Sequence, residues 1–168
     1  NKTLFYDLYA RINSFWENSD MAAVGKPSKE EINILREFES ILPKNLINSE
    51  VAEVSVSSTK QLDRNNLRKA SKLLDEAGWD VGNDGLRRNS NGDTLDIEIL
   101  NDSQAFTRII EPFIENLKSL GVNAKHTKID NAQMTERERS FDFDIVTGNF
   151  PMSFTPGSGL KQYFGSET

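Results

Sequence analysis

Two aspartates spaced by two, Asp142 and Asp144 in FDFDIVT (141–147), are the first groups that could do chemistry. On a strand this spacing puts both on one face, with Phe141, Phe143 and Ile145 on the other. A close carboxylate pair serves acid–base work or binds calcium. Asp96/Glu98 and Glu136/Glu138 repeat the spacing. No third or fourth ligand follows at loop spacing, so a solvated face is the stronger reading of each. His126 is the only histidine, set in a strand pattern between Lys125 and Thr127. Nothing in the sequence marks a nucleophile elbow to partner it. GLRRNSNG (85–92) has glycines but does not join a strand to a helix as a phosphate loop does. TPGSG (155–159) offers backbone donors to an anion, though an ordinary loop is the better reading. Enzyme machinery is not visible. A hydrolase or other enzyme lobe using Asp142, Asp144 or His126 stands as the alternative.

The elements that must position these groups follow from periodicity. Leu4, Phe5, Leu8, Ile12, Phe15 and Trp16 predict one helical stripe over 3–16. Gly25 and Pro27 make a turn. Ser28 with Glu31 three positions on reads as a capping box opening a short helix with Ile32, Leu35 and Phe38 inward. Residues 44–63 carry no clear period and read as a loop. NNLRKASKLLDEAGW (65–79) is the clearest helix, with Leu67, Ala70, Leu73, Leu74 and Ala77 on one face and Gly78 as its terminator. Turns at Asn83-Asp84-Gly85 and Asn91-Gly92 fit a small hairpin. TLDIEIL (94–100) alternates strictly. Residues 104–120 are helical with Pro112 inside, and Gly121 ends them. A second strand (122–129), a short helix capped by Asp130 and a third strand (141–147) follow. This order predicts an α/β fold with parallel neighbours and right-handed crossovers. Ligands of such sheets lie beyond the strand carboxyl ends, which is where the loop Gly148–Gly159 leaves.

Length and composition suit one domain or one lobe of 168 residues. Ten Phe, two Trp and three Tyr allow a core. A net charge of −6 without a Lys/Arg cluster argues against nucleic acid as a partner. The absence of cysteine excludes disulfides and thiolate chemistry. The opening NKTLFYDLYARINSFW carries Lys2, Asp7 and Arg11 and does not read as a signal peptide. The whole reads as a piece of a longer protein.

The motifs match a known family in order. The helix ending in E-A-G-W, the helix ending in L-K-S-L-G-V (117–122) and the strand F-D-F-D-I resemble the third domain of the extracellular solute-binding proteins, family 5. The opening NKTLFYDLYARINSFWENSDMAA, the Gly25–Ser28 turn and TPGSGLKQYFGS resemble the Yej-type oligopeptide binders of ABC importers. The resemblance covers essentially the whole chain. It implies a periplasmic-binding-protein-like lobe: a mixed sheet with parallel βαβ units flanked by helices, residues 1–168 forming a single lobe of a two-lobed protein. It also implies capture of peptides or related small solutes in the periplasm, delivery to membrane permease subunits, and neither metal nor cofactor. By position it places Asn149, Phe150, Met152, Ser153 and Phe154 at the ligand. Classical oligopeptide binders carry in this loop an Asp that pairs with the peptide's amino terminus. Here that position is Met152, so this ion pair is not carried over. The branch's Asn-Glu-Gln is replaced by Ser158-Gly159-Leu160.

Overall fold

In the computed structural model, residues 2–51, 54–57, 62–148, 155 and 157–167 are described. In chain order the elements are α1 (Lys2–Phe5), α2 (Lys29–Arg36), a 3-10 turn (Leu46–Asn48), α3 (Arg64–Glu76), β1 (Asp80–Val81), β2 (Arg87–Arg88), β3 (Asp96–Asn101), α4 (Gln104–Ser119), β4 (Asn123–Lys128), α5 (Asn131–Arg139), β5 (Ile145–Val146) and α6 (Ser158–Phe164). They fall into two compact units. The first holds Asn1–Tyr9 and Val56–Asn149, the second Ala10–Ser55 and Phe150–Thr168.

The first unit is built on a parallel sheet in the order β4-β3-β5. β3 and β4 pair in register from Asp96↔Asn123 to Asn101↔Lys128. Alternation then sorts the side chains. Ile97, Ile99 and Asn101 share a face with Ala124, His126 and Lys128. Asp96, Glu98 and Leu100 share the other with Asn123, Lys125 and Thr127. α4 packs on the first face, where Ile99, Ile110, Ile114, Val122 and Ala124 are buried together. Leu74, Leu95, Ile97, Leu117 and Leu120 close around them. The expected parallel units are present. Among the described residues antiparallel pairing is confined to the β1–β2 ribbon and a bridge from Arg88 to Thr94.

Three helices of this unit end alike. After α3, Gly78 N–H donates to Asp75 O and Trp79 N–H to Leu74 O. After α4, Gly121 N–H donates to Lys118 O and Val122 N–H to Leu117 O. After α5, Phe141 N–H donates to Glu138 O and Asp142 N–H to Arg137 O. Each is a Schellman end, whose turning residue takes a left-handed backbone. Gly78 and Gly121 do so freely, at φ 83° and 85°. Phe141 does so at φ 54° with its ring 84% exposed. A side chain there costs roughly 1–2 kcal/mol against glycine, part of which glycine returns as unfolded-state entropy. Phe141→Gly is therefore expected to raise stability by about 0.5–1 kcal/mol, read as a higher urea midpoint. A lower midpoint would mean the ring packs against something.

Several expectations are corrected. The stripe over 3–16 is not one helix. α1 ends at Phe5 because Tyr6 and Asp7 take φ 53° and 59°. Beyond it, short polar side chains bind local backbone instead of letting a helix continue: Ser14 Oγ accepts Trp16 N–H at 3.1 Å. Leu8, Ile12 and Phe15 are left exposed. Leu73 of α3 is also exposed, while Leu67, Ala70 and Leu74 are half-buried. The third strand shrinks to two residues, because the α5 cap takes Phe141 and Asp142 and β3 offers partners only at Ile99 and Leu100. A helix not foreseen, α6, follows Gly157.

In the second unit the capping box forms as expected. Ser28 Oγ accepts Glu31 N–H at 3.2 Å, and Glu31 Oε2 accepts Ser28 N–H at 2.6 Å. Those bonds hold the Glu31 carboxyl below its ordinary range. Val51 N–H donates to Gly25 O at 2.8 Å, and the Phe15 and Phe164 rings meet edge-on at 5.6 Å.

Candidate functional site

Three parallel strands end at Asn101, Lys128 and Val146, the side where ligands of such sheets lie. Asn101 is wholly buried. Its Oδ1 accepts Ser103 N–H at 2.9 Å, which fixes the amide orientation, and its Nδ2 donates to Ser103 O at 2.7 Å. The same Nδ2 faces His126 Nε2 at 3.4 Å. His126 Nε2 is therefore the acceptor, and Nδ1–H donates to Glu111 Oε1 at 2.7 Å. Both ring nitrogens are occupied, and the side chain is 9% exposed. That environment suits a histidine tying β4 to β3 and α4, with no free nitrogen to act as a base. Lys128 Nζ donates to Gln104 Oε1, closing the strand end onto the first turn of α4.

On the opposite sheet face the aspartates do not stand as an open pair. Neither Asp142 nor Asp144 lies within β5. Arg137 Nε donates to Asp142 Oδ2 and Asp142 O, both at 2.9 Å. Asp144 Oδ2 accepts Glu98 N–H at 2.8 Å. Glu98 is the hub that sequence reading missed. Its Oε1 accepts from Thr127 Oγ1 at 2.7 Å and lies 3.0 Å from Lys125 Nζ. Its Oε2 accepts from Arg137 at 2.7 Å. Thr127 first, then Arg137 and Lys125, pull its carboxyl down to about 2. The same contact with Glu98 raises Arg137 above its ordinary value. Asp96 accepts from Asn123 Nδ2 at 2.7 Å, and Glu136 and Glu138 lie on α5, not on a strand. Alternation put Glu98 on a polar face. Nothing local signalled that residues 29 and 39 positions away would gather on it.

His126 shares a sheet face with Ile99, while Glu98 lies on the other. His126 is thus not brought together with the aspartates that the alternative enzyme reading would pair with it. Among the described residues no group of three or more His, Asp or Glu side chains is placed to hold a metal ion. No helix among them is long and apolar enough to cross a membrane. The expected ligand residues Asn149, Phe150, Met152, Ser153 and Phe154 lie outside the described residues. The second unit carries a cavity of about 510 Å³ with an apolar lining from Val24, Pro27, Leu35, Leu46 and Val51, which no sequence pattern had suggested.

The model of the bacterial extracellular solute-binding proteins, family 5 Middle, matches residues 1–168. The chain belongs to this family. It is 36% identical over 166 residues to the probable peptide-binding protein YejA of Agrobacterium fabrum, covering 99% of this chain and 27% of that protein. It is 34% identical over 167 residues to the uncharacterized protein YejA of Escherichia coli K12, covering 99% of this chain and 28% of that protein. The family 5, Yej-type resemblance is thereby borne out. Among solved structures, a lactococcal OppA complexed with an endogenous peptide in the closed conformation aligns with a TM-score of 0.49. The identity is 24%, over 64% of this chain and 22% of that one. The chain spans about a quarter of the length of the YejA proteins it matches.

Proposed function

We propose that this chain is part of the substrate-binding component of an ABC importer, capturing oligopeptides or related solutes in the periplasm. The observation that carries the reading is the family match along all 168 residues, joined to a relative named as a probable peptide-binding protein. Residues 1–168 are read as one lobe, with a second lobe elsewhere in the full protein completing the site. The loop after β5 supplies Asn149, Phe150, Met152, Ser153 and Phe154 to the ligand. Peptide side chains vary, so a general binder needs polar contacts to the peptide backbone between tolerant apolar walls. Asn149 and Ser153 are neutral hydrogen-bonding groups. Phe150, Phe154 and the adaptable thioether of Met152 form such a wall. Closure of two lobes traps the solute, and the closed form docks on membrane permease subunits. The role is binding, not catalysis: Asp142, Asp144 and His126 are each engaged by another residue, Arg137, the Glu98 amide and Glu111 in turn.

The test is a thermal-shift scan of the full-length protein against pools of short peptides, with the 168-residue chain as control. A ligand well above its dissociation constant stabilises the state that binds it. A raised melting temperature for the full-length protein, with none for the chain, supports a two-lobed peptide trap. Tight binding by the chain alone would overturn the two-lobed reading. No shift for either would overturn the peptide assignment.

A further inference from the structure

The stem of β5 is held in an unusual way. β5 pairs with β3 at only two positions, Ile99↔Ile145 and Leu100↔Val146. A ladder this short leaves few backbone bonds to fix where the strand ends. Side chains continue the job on its amino-terminal side. Asp144 Oδ2 accepts Glu98 N–H at 2.8 Å, a donor on the edge of β3 just before the pairing begins. Two residues earlier, Arg137 Nε grips both the carbonyl and the carboxylate of Asp142. Arg137 is itself anchored on Glu98 Oε2. The stretch from Asp142 to Val146 is thus clamped on both sides of Phe143 to a single β3 residue, once through its amide and once through its carboxylate. The carboxyl end of β5 then opens onto the side where ligands of parallel sheets lie.

We propose that Asp144 is a positioning residue for ligand capture: by taking the Glu98 amide it sets where the carboxyl end of β5 stands. It touches no ligand and acts through the strand it anchors. The assignment rests on the solute-capture reading above. It requires an acceptor at this place rather than a negative charge, since the Glu98 amide is the donor it serves.

The test uses the full-length protein and the peptide that gives the largest melting shift in the pools. Asp144→Ala is expected to weaken affinity about five- to twentyfold, mostly through faster dissociation, at temperatures where the variant is still folded. Asp144→Asn keeps an acceptor oxygen and is expected to restore affinity to within about twofold of wild type. A structural role alone would lower the melting point of Asp144→Ala without moving affinity, and that result overturns the proposal. Affinity lost equally in Asp144→Asn also overturns it, because charge and not the amide contact would then be at work. A second measurement separates this idea from the peptide reading. Without ligand, amide exchange at Glu98, Ile145 and Val146 is expected to speed up about tenfold in Asp144→Ala. If no peptide binds the wild type, faster exchange still supports the anchoring and only the ligand class fails. Unchanged exchange overturns the anchoring itself.

Discussion

Arg87→Met is expected to lower the folding free energy by about 3–5 kcal/mol, and Arg87→Lys to recover little of the loss. The guanidinium is 1% exposed and sits where two helices end. Its Nε donates to Leu120 O, just past α4, at 2.6 Å. One terminal nitrogen donates to Asp75 Oδ1 at 2.6 Å and to Trp79 O. The other donates to Ser71 Oγ at 2.7 Å and to Ser71 O at 3.4 Å. The carbonyls after a helix end lack intrahelical partners and carry the negative end of its dipole. One planar, permanently charged side chain with five donors serves both ends. Methionine fills the volume but takes the donors away from these part-buried carbonyls and from Ser71 and Asp75. A lysine ammonium cannot span the same fork. Space is tight as well: a Cβ on Gly121 would stand 2.7 Å from Gly85 O and 3.2 Å from Arg87 Cγ. Urea unfolding at constant m checks the magnitude. Asp75 is half exposed, at 52%, so Asp75→Asn should cost under about 1 kcal/mol if backbone carbonyls dominate. A loss as large as that of Arg87→Met would make the ion pair the main interaction and sink this account.

That guanidinium also marks the limit of what sequence patterns reveal. In LRRNSNG it reads as one of two solvated arginines beside a turn. Arg88 behaves so, pairing with Asp84 at 2.7 Å on the surface. Arg87 is buried because its acceptors lie at Ser71, Asp75, Trp79 and Leu120, which only the fold brings together. Features written in local chemistry were legible. The capping box at Ser28, the glycine ends at Gly78 and Gly121, the hairpin turns and the alternation of β3 each depend on a few adjacent residues. Errors came where period was read without partners. Residues 3–16 have helical spacing, yet Leu8 and Ile12 stay exposed. FDFDIVT has strand spacing, yet a helix cap and the Asp144 contact take its first half. The candidate ligand loop was legible only through family motifs. Its composition of glycine, proline and large apolar groups does not say which way any side chain faces.

The second large effect is a loss of stability in acid, centred on Glu98. Its carboxyl titrates near 4.5 when unconstrained and near 2 when folded. A depressed carboxylate contributes stability that is whole above the unfolded value and disappears as pH falls through the folded one. Between about pH 4.5 and 2 the folded protein must therefore give up what Thr127, Arg137 and Lys125 supply. Asp142 and Asp144 face the cluster from the β5 stem, and Asp96 flanks it on β3. The side chain of Glu98 is 15% exposed while Lys125 is 68% exposed, so solvent screens part of the interaction. The net contribution is on the order of 2 kcal/mol. Glu98→Gln removes the charge and keeps the shape. Its deficit against wild type should be about 2 kcal/mol at pH 7 and shrink steadily towards pH 2, measured by urea unfolding across the range. A deficit that stays constant with pH would mean that shape and neutral hydrogen bonds, and not the ionised carboxylate, hold β4, α5 and the β5 stem together. A deficit that grows on acidification would reverse the sign of the linkage and place the stabilising form of Glu98 on the protonated side.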